Sequence, residues 1–380
     1  MQFQALLTDA YRQLSAAKLF WVSLGISVLV VIAFGSIGFT ETGVSIGFGI
    51  TEIESEFLNA GSRWSRGLYI GIFSGFLVSI WLAWIATVLA LISTCSIFPE
   101  FVHSGSIELT ISKPIGRLKL FFAKYLVSLL FVILQVAIFC VGIFLCVGLR
   151  IGEWNPMIFA AIPIVATFFS YLFAVCVLVG ILTRSGITAL LITGVFWMSL
   201  WSIQTSEAVL NRFVTQQQVD IERFQEGIEQ TNTKIAKINK TSTEDDERLV
   251  SLEERNKRFV ADKLEAEESL ESLTQWHDPI AWVLAVSPKN AQTIGLLDRW
   301  LSDPDGFDIA AIMNGDMRSF ENVEVDEFDR TTRNARERET RKRMQDEYES
   351  KSLWYVVGTS LLFEGFILGL AAWYFRRKDF

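Results

Sequence analysis

The chain has 380 residues, 51% of them hydrophobic, with 34 Lys+Arg against 42 Asp+Glu and a formal net charge of −8. A mean hydropathy of +0.35 beside long charged stretches excludes an ordinary soluble globule, because the apolar residues must be concentrated in a few runs. The charge is split: residues 207–351 hold 21 Lys+Arg and 32 Asp+Glu, net −11, and the remainder holds 13 and 10, net +3. An acidic polar part argues against nucleic acid as a partner, which needs a basic footprint.

In chain order, residues 2–18 are too polar to span. Phe3, Leu6, Leu7, Ala10, Tyr11, Leu14 and Ala17 recur at helical spacing, which predicts an interfacial amphipathic helix over 1–18. The apolar run after Lys18 is longer than a signal-peptide core and no small-residue cleavage site follows, so the first span is expected to be retained. Runs 19–39, 67–99, 125–149, 154–183 and 185–206 contain no Asp, Glu, Lys or Arg, and 352–375 contains only Glu364. Each exceeds the roughly 18–20 residues that cross a bilayer as helix. Lipid offers the backbone no hydrogen-bond partner, so each run must be helical. The second run is longer than a span needs and should tilt or protrude. Pro163 should kink span four near its start, and Arg184-Ser185-Gly186 is a tight connection. Cys95, Cys140, Cys146 and Cys176 all fall in apolar runs and read as packing residues.

The polar insertion 207–351 begins with a heptad stripe: Val214, Ile221, Ile228 and Ile235 at one position, Leu210, Phe224 and Ile238 at the other. A polar turn over 239–247 leads to a second stripe, Leu249, Asn256, Lys263 and Leu270 with Leu252, Phe259, Ala266 and Leu273. Two such stripes joined by a turn predict an antiparallel coiled-coil hairpin with arms roughly 40 Å long. Polar seam positions imply modest stability, or a partner that completes the seam. Asp278-Pro279, Ser287-Pro288 and Asp303-Pro304 then punctuate shorter pieces. Ser287-Pro288 reads as a helix start. That helix, with Trp276 and Trp282 nearby, lies either on the outer membrane surface or against the hairpin base. Val323 and Val325 indicate a short strand, and a charged helix follows from about Arg330.

Short-loop charge sets the orientation. With the N-terminus cytoplasmic, ten basic residues lie inside (Arg12, Lys18, Lys113, Arg117, Lys119, Lys124, Arg184, Arg376, Arg377 and Lys378) against Arg63, Arg66 and Arg150 outside. Seven basic residues over 330–343 point the other way. They belong to a long loop, and long loops cross largely regardless of charge.

Between spans two and three lies Ser104-Gly105-Ser106-Ile107-Glu108-Leu109, running through Lys113-Pro114-Ile115-Gly116-Arg117 to Lys124-Tyr125. This resembles the first cytoplasmic loop of the permease subunits of type-2 ATP-binding-cassette (ABC) exporters. In that family a Ser-Gly-(Ser/Thr)-(Ile/Leu)-Glu-Leu run leads to Lys/Arg-Pro, an Arg and a Lys-Tyr. His103 stands where the family more often has an acidic or other polar residue. The likeness covers residues 1–205 and 352–380, and the C-terminal Phe375-Arg376-Arg377-Lys378-Asp379 also resembles the family's usual end. The insertion is no part of it.

The resemblance implies a half-transporter in the plasma (inner) membrane of a bacterium, with both termini cytoplasmic. Such permeases pair, usually as homodimers, and each binds one ABC ATPase subunit that carries the ATP and magnesium. Ser104, Gly105, Ile107, Glu108, Leu109, Lys113, Pro114 and Arg117 would form the coupling contact with that ATPase, and substrate would move outward. This chain has no G-x-x-x-x-G-K-[ST] loop, so it is not itself the enzyme and holds no cofactor or metal. The hairpin, with Val214, Ile221, Ile228, Ile235, Leu249, Leu252 and Phe259 in its seam, would be a docking arm for an extracytoplasmic partner or for the dimer mate. Two rival readings stand beside transport: a mechanotransmission subunit that drives the outside hairpin with no substrate crossing, and a non-transporting membrane scaffold.

The expected fold is thus an all-α membrane protein of six transmembrane helices with a coiled-coil hairpin inserted between spans five and six. Its parts are an interfacial helix 1–18, spans one to five over 19–206 with coupling loop 100–124, an extracytoplasmic insertion 207–351, and span six with a cytoplasmic tail over 352–380. Glu364 near the middle of the last span is the one acidic residue at that depth. It either lines a pathway or is a protonated acid bonded to a neighbouring span, with Gln135 the suggested partner.

Overall fold

The computed structural model describes residues 18–54, 59, 62–102, 116–152, 154–238, 243–301 and 329–377. The interfacial helix expected over 1–18, apart from Lys18, and the strand expected at Val323 and Val325 lie outside the described residues. The chain divides into two compact units: Met1–Ser199, Pro288–Glu321 and Val356–Phe380 form the first, and Leu200–Ser287 with Asn322–Tyr355 the second.

The first unit opens with α1 (Lys18–Gly35). A small antiparallel sheet follows: β1 (Gly38–Phe39), β2 (Gly43–Ile46) and β3 (Thr51–Glu54), with Gly38 opposite Ser45 and Val44 opposite Ile53. The reversal between β2 and β3 uses three consecutive positive-φ residues, Gly47, Phe48 and Gly49. Glycine adopts that conformation without a Cβ clash, and Phe48 between them is the strained member. The Arg150 guanidinium lies 5.1 Å from the Phe48 ring and donates to Gly35 O at 2.9 Å, fastening this turn to the helix that carries Arg150.

The second apolar run is broken into α2 (Arg63–Gly71), a π-helical stretch (Ile72–Ala86), α3 (Thr87–Thr94) and α4 (Ile97–Val102). Ser62 caps α2 by accepting from Ser65 N. The helix α5 (Arg117–Ile151) starts eight residues before Tyr125, where the apolar run begins, and ends on Gly152 at φ 78°. A 3₁₀ turn (Pro156–Ala160) enters α6 (Ala161–Thr183), and Pro163 sits in that helix's first turn, where its missing N–H has no intrahelical partner to lose. Hydrophobic on every side, α6 is the buried centre of the unit: Phe169, Tyr171, Leu172 and Ala174 have no exposed surface. The helices α5 and α11 (Thr359–Arg377) pack on it, and α1 packs on α5.

Among the described residues, five helical segments are long and apolar enough to cross a membrane: Gly67–Val102, Arg117–Ile151, Pro156–Thr183, Gly186–Lys237 and Trp354–Arg377. The apolar part of α1, Phe20–Gly35, is shorter. The chain is therefore a helical membrane protein carrying one small sheet, which the all-α expectation did not include.

Two further expectations are corrected. The helix after Ser287-Pro288 is α9 (Asn290–Leu301), which begins two residues past the proline. Its Thr293, Ile294, Leu296 and Leu297 are buried, and it packs on α6 and on the π-helical stretch. It belongs to the first unit. Asp278-Pro279 does not break the chain either, since α8 (Thr243–Val286) runs through Pro279.

The second unit holds α7 (Gly186–Lys237) from Leu200 onward, with α8 and α10 (Asp329–Ser350), both of which contact α7. No proline interrupts residues 186–237 and no glycine falls between Gly194 and Gly227, so one helix continues from the apolar run into the polar insertion. Asn232 pairs with Asn256 at 2.8 Å, Gln225 with Lys263, and Gly227 lies against the Phe259 ring. Those pairings make α7 and α8 antiparallel. Along α8 the covered positions are Leu249, Leu252, Asn256, Phe259, Lys263, Ala266, Leu270 and Leu273, at alternating spacings of three and four. On α7, Val214 is buried and Ile221, Ile228 and Ile235 are half-buried. The charged helix α10 flanks α7, with Arg343 Nη1 2.8 Å from Glu222 Oε1, Asn211 Nδ2 3.0 Å from Glu347 Oε2, and Arg336 paired with Asp220.

Candidate functional site

The loop that carries the resemblance enters the bilayer unit through α5. Residues 103–115, and with them Ser104, Gly105, Ile107, Glu108, Leu109, Lys113 and Pro114, lie outside the described residues. The description resumes at Gly116, extended at φ −64° and ψ 138°, and Arg117 is the half-buried first residue of α5. Gly116 offers no side-chain cap.

Two turns further, Tyr125 is 3% exposed and Glu364 on α11 is 8% exposed. Tyr125 Oη lies 2.8 Å from Glu364 Oε1 and 3.1 Å from Ser170 O. Ser170 Oγ, from α6, lies 2.7 Å from Glu364 Oε2 and 2.8 Å from Thr167 O. Each hydroxyl holds one proton and has two acceptors within reach. Three helices therefore meet at one carboxyl group, and the two donors leave neither of its oxygens without a partner. A carboxyl group at this depth is costly unless it is bonded inside protein, which fixes the relative positions of α5, α6 and α11. The Tyr125 ring stacks on Phe173 with centroids 5.3 Å apart, and Phe173 on Phe169 at 5.4 Å.

An aromatic cluster ties the same helices closer to the loop. Phe121 lies 5.3 Å from Phe98 and 5.8 Å from Phe375, and Phe101 lies 5.9 Å from Phe375. Lys124 Nζ sits 5.3 Å above the Phe101 ring. The Lys-Tyr pair that closes the loop motif thus makes two separate connections, Lys124 to the end of α4 and Tyr125 to the interior of α11. A displacement of the first turns of α5 has no slack at either point.

The suggested Gln135 partner for Glu364 is not the one found. Gln135 lies ten residues past Tyr125 on α5, about 15 Å along the helix axis. It is 4% exposed, and neither of its amide atoms has a hydrogen-bond partner. It lines a cavity with Ser27 and Thr87 that has room for about one water. The sequence signalled Glu364 by its charge and Tyr125 by its motif. It gave no sign of Ser170, one of many small polar residues in apolar runs, nor of the pairing across 239 positions.

A second polar group joins α9 to α11. Lys289 N donates to Ser360 Oγ at 2.9 Å and Lys289 Nζ to Thr359 Oγ1 at 2.7 Å, with Lys289 and Ser360 both buried. The expected seam residues Val214, Ile221, Ile228, Ile235, Leu249, Leu252 and Phe259 lie in the second unit, Val214 buried and the rest half-buried.

No family model, no curated protein and no solved structure matches this chain.

Proposed function

We propose that this chain is the membrane subunit of an ATP-driven ABC exporter, worked by a separate ATPase through the loop 100–124. The observation that carries the reading is Tyr125. The residue that ends the motif is hydrogen-bonded to the one acidic side chain of the last apolar helix and to α6. A displacement of Arg117 would reach the centre of the bundle along α5, which is one continuous helix from there to Tyr125. In this reading α1 with the residues flanking it supplies a sixth span. Both termini face the cytoplasm, as the short-loop Lys and Arg residues favour. Two copies pair, and closure of the ATPases around ATP and magnesium rocks them to move substrate outward. Residues 207–351 stand outside as a coiled-coil hairpin, a reading supported by the three-four spacing of covered residues on α8.

One observation favours mechanotransmission as the second reading. The helix α7 is continuous over Gly186–Lys237, so the fifth apolar run and the first arm of the insertion are one element. An external partner on the hairpin would then receive the work and no substrate need cross.

The test is co-purification of an ATPase from the native host with the tagged full-length chain, compared with Glu108→Arg and Arg117→Glu. Loss of the ATPase from both variants, with the chain still inserted, supports the coupling loop. An ATPase never recovered with the wild-type chain removes the proposal and leaves a scaffold. Deletion of 207–345 then separates the two readings, since transport through the core survives it in part and transmission does not.

A further inference from the structure

The surface of α8 changes character at Asp278. Before it, the exposed positions are mostly charged, among them Glu253, Glu254, Lys257, Arg258, Glu265 and Glu268, with Val250, Val260 and Leu264 as isolated apolar exceptions. After it, Pro279-Ile280-Ala281-Trp282-Val283-Leu284-Ala285-Val286 contains no charged or hydrogen-bonding side chain except the Trp282 indole. Nor is this run turned inward. Trp276 is 70% exposed, Trp282 77%, Val283 53% and Val286 72%. At 3.6 residues per turn these four and Pro279 fall within one arc about 120° wide, while Ile280, Ala281, Leu284 and Ala285 on the other side are half-buried. The foot of α8 is therefore apolar on both faces, and the open face carries two tryptophans.

Chain length bounds the distance from Val286 to Lys289. Val286 precedes Lys289 by three residues, at most about 10 Å of extended chain. Lys289 is bonded through its N–H and its ammonium to Ser360 and Thr359, the first turn of α11. A second junction at the same helix end has the same character. Leu353, Trp354 and Tyr355, four to six residues before Thr359, are 46%, 85% and 42% exposed. Tryptophan and tyrosine concentrate where a membrane meets water, because their rings are apolar and their polar tips need a partner.

We infer that the last turns of α8, from Trp276 to Val286, are immersed in the interfacial layer of the bilayer that the apolar helices cross. Trp282, Val283 and Val286 lie against acyl chains, and Trp276 and the exposed Asp278 lie among the hydrated headgroups. The foot of α8 then touches lipid on whichever side of the membrane it stands. This site requires only that the chain is a membrane protein and is independent of any ATPase.

Spin labelling of the full-length protein in phosphatidylcholine–phosphatidylglycerol vesicles tests it. Val283→Cys, Val286→Cys and Glu268→Cys are each made on a background in which Cys95, Cys140, Cys146 and Cys176 are replaced by alanine. Collisions with oxygen, which concentrates in lipid, are compared with those of a water-soluble nickel chelate. The expected result is an oxygen-to-nickel ratio at Val283→Cys and Val286→Cys several-fold above that at Glu268→Cys. Equal ratios at all three positions put the foot in water and overturn the inference. Labels shielded from both reagents show a second copy or another protein covering the face, and overturn it equally. Should the cysteine-free background not insert, quenching by brominated lipid is compared between the wild type and Trp282→Phe. Trp282→Phe losing part of the quenched intensity supports the inference, and unchanged quenching rejects it.

Discussion

Tyr125 and Glu364 stand 239 positions apart in the chain, yet Tyr125 Oη is 2.8 Å from Glu364 Oε1 with both residues buried. The contact joins the helix that leaves the loop to the last helix, and Ser170 completes it from α6. Removing the phenol hydroxyl deprives Glu364 of a donor at a depth where water cannot replace it. Tyr125→Phe should therefore lower stability by about 1–3 kcal/mol. Glu364→Gln, which keeps an accepting oxygen, should cost less than Glu364→Leu, which leaves both hydroxyls without their carboxyl partner. Thermal unfolding of the purified chain in detergent gives the three values. The double variant Tyr125→Phe/Glu364→Leu should cost less than the two singles added together, and strict additivity would mean that the bond carries no energy.

A second prediction concerns the contact between α1 and α5. A Cβ placed on Gly142 would meet Val31 Cγ1 at 2.7 Å and Cγ2 at 3.2 Å. Valine is stiff about its first torsion and cannot swing clear. Small residues allow such close approach between apolar helices, which have little hydrophobic drive to associate in lipid. Gly142→Leu should destabilise the chain by about 1–3 kcal/mol through overpacking, and its effect should centre on α1. Hydrogen exchange resolved by segment would show increased exchange in Lys18–Gly35, whereas an increase confined to α11 would contradict this account.

The apolar runs were legible because lipid leaves the backbone no alternative to helix, so composition alone places 125–149 and 154–183 inside the helical segments Arg117–Ile151 and Pro156–Thr183, though not the start of the first. The stripe on α8 was legible for a similar reason. Covered positions must recur every three or four residues along a helix that is covered on one side, and Leu249 to Leu273 do so. What escaped was decided by contacts between distant segments. Ser170 is one serine among many until Glu364 is placed beside it. Pro279 reads as a helix end because a proline costs a hydrogen bond, yet α8 absorbs that cost and continues. The sheet over residues 38–54 depends on a three-residue left-handed turn that only Gly47 and Gly49 hint at.

A third prediction follows from the carboxylates of the second unit. The Arg343 guanidinium bonds Glu222 and holds its carboxyl below the usual carboxylate value. Burial alone pushes Glu347 up, but the hydrogen bonds from Asn211 and Lys351 outweigh it and hold it down. A carboxyl group held down in the fold binds fewer protons there than in the unfolded chain. Its stabilisation is present above the ordinary carboxylate value and disappears as the pH falls through the lowered one. Both groups are largely exposed, so each contributes well under about 1 kcal/mol. The contacts of α10 with α7 should weaken as the pH drops below about 4. Fluorescence transfer between labels on α7 and α10 follows this loss, and Arg343→Gln should make the acid response shallower. A response unchanged by that substitution would show that Glu222 takes no part.

The last prediction returns to Pro279. Lacking an N–H, it leaves the carbonyl of Gln275 without its partner four residues on, in a helix that otherwise continues to Val286. Its position is exposed, so no packing is lost by shortening it. Pro279→Ala restores the bond and should stabilise α8 by up to about 3 kcal/mol, the helix-interior difference between the two residues. The gain should be local, with slower amide exchange over residues 273–283 and little change in α5 or α6. The same position lies where the charged shaft of α8 gives way to its apolar foot. An unchanged or lowered unfolding temperature, with amide exchange over residues 273–283 no slower, would show that the missing N–H costs α8 nothing.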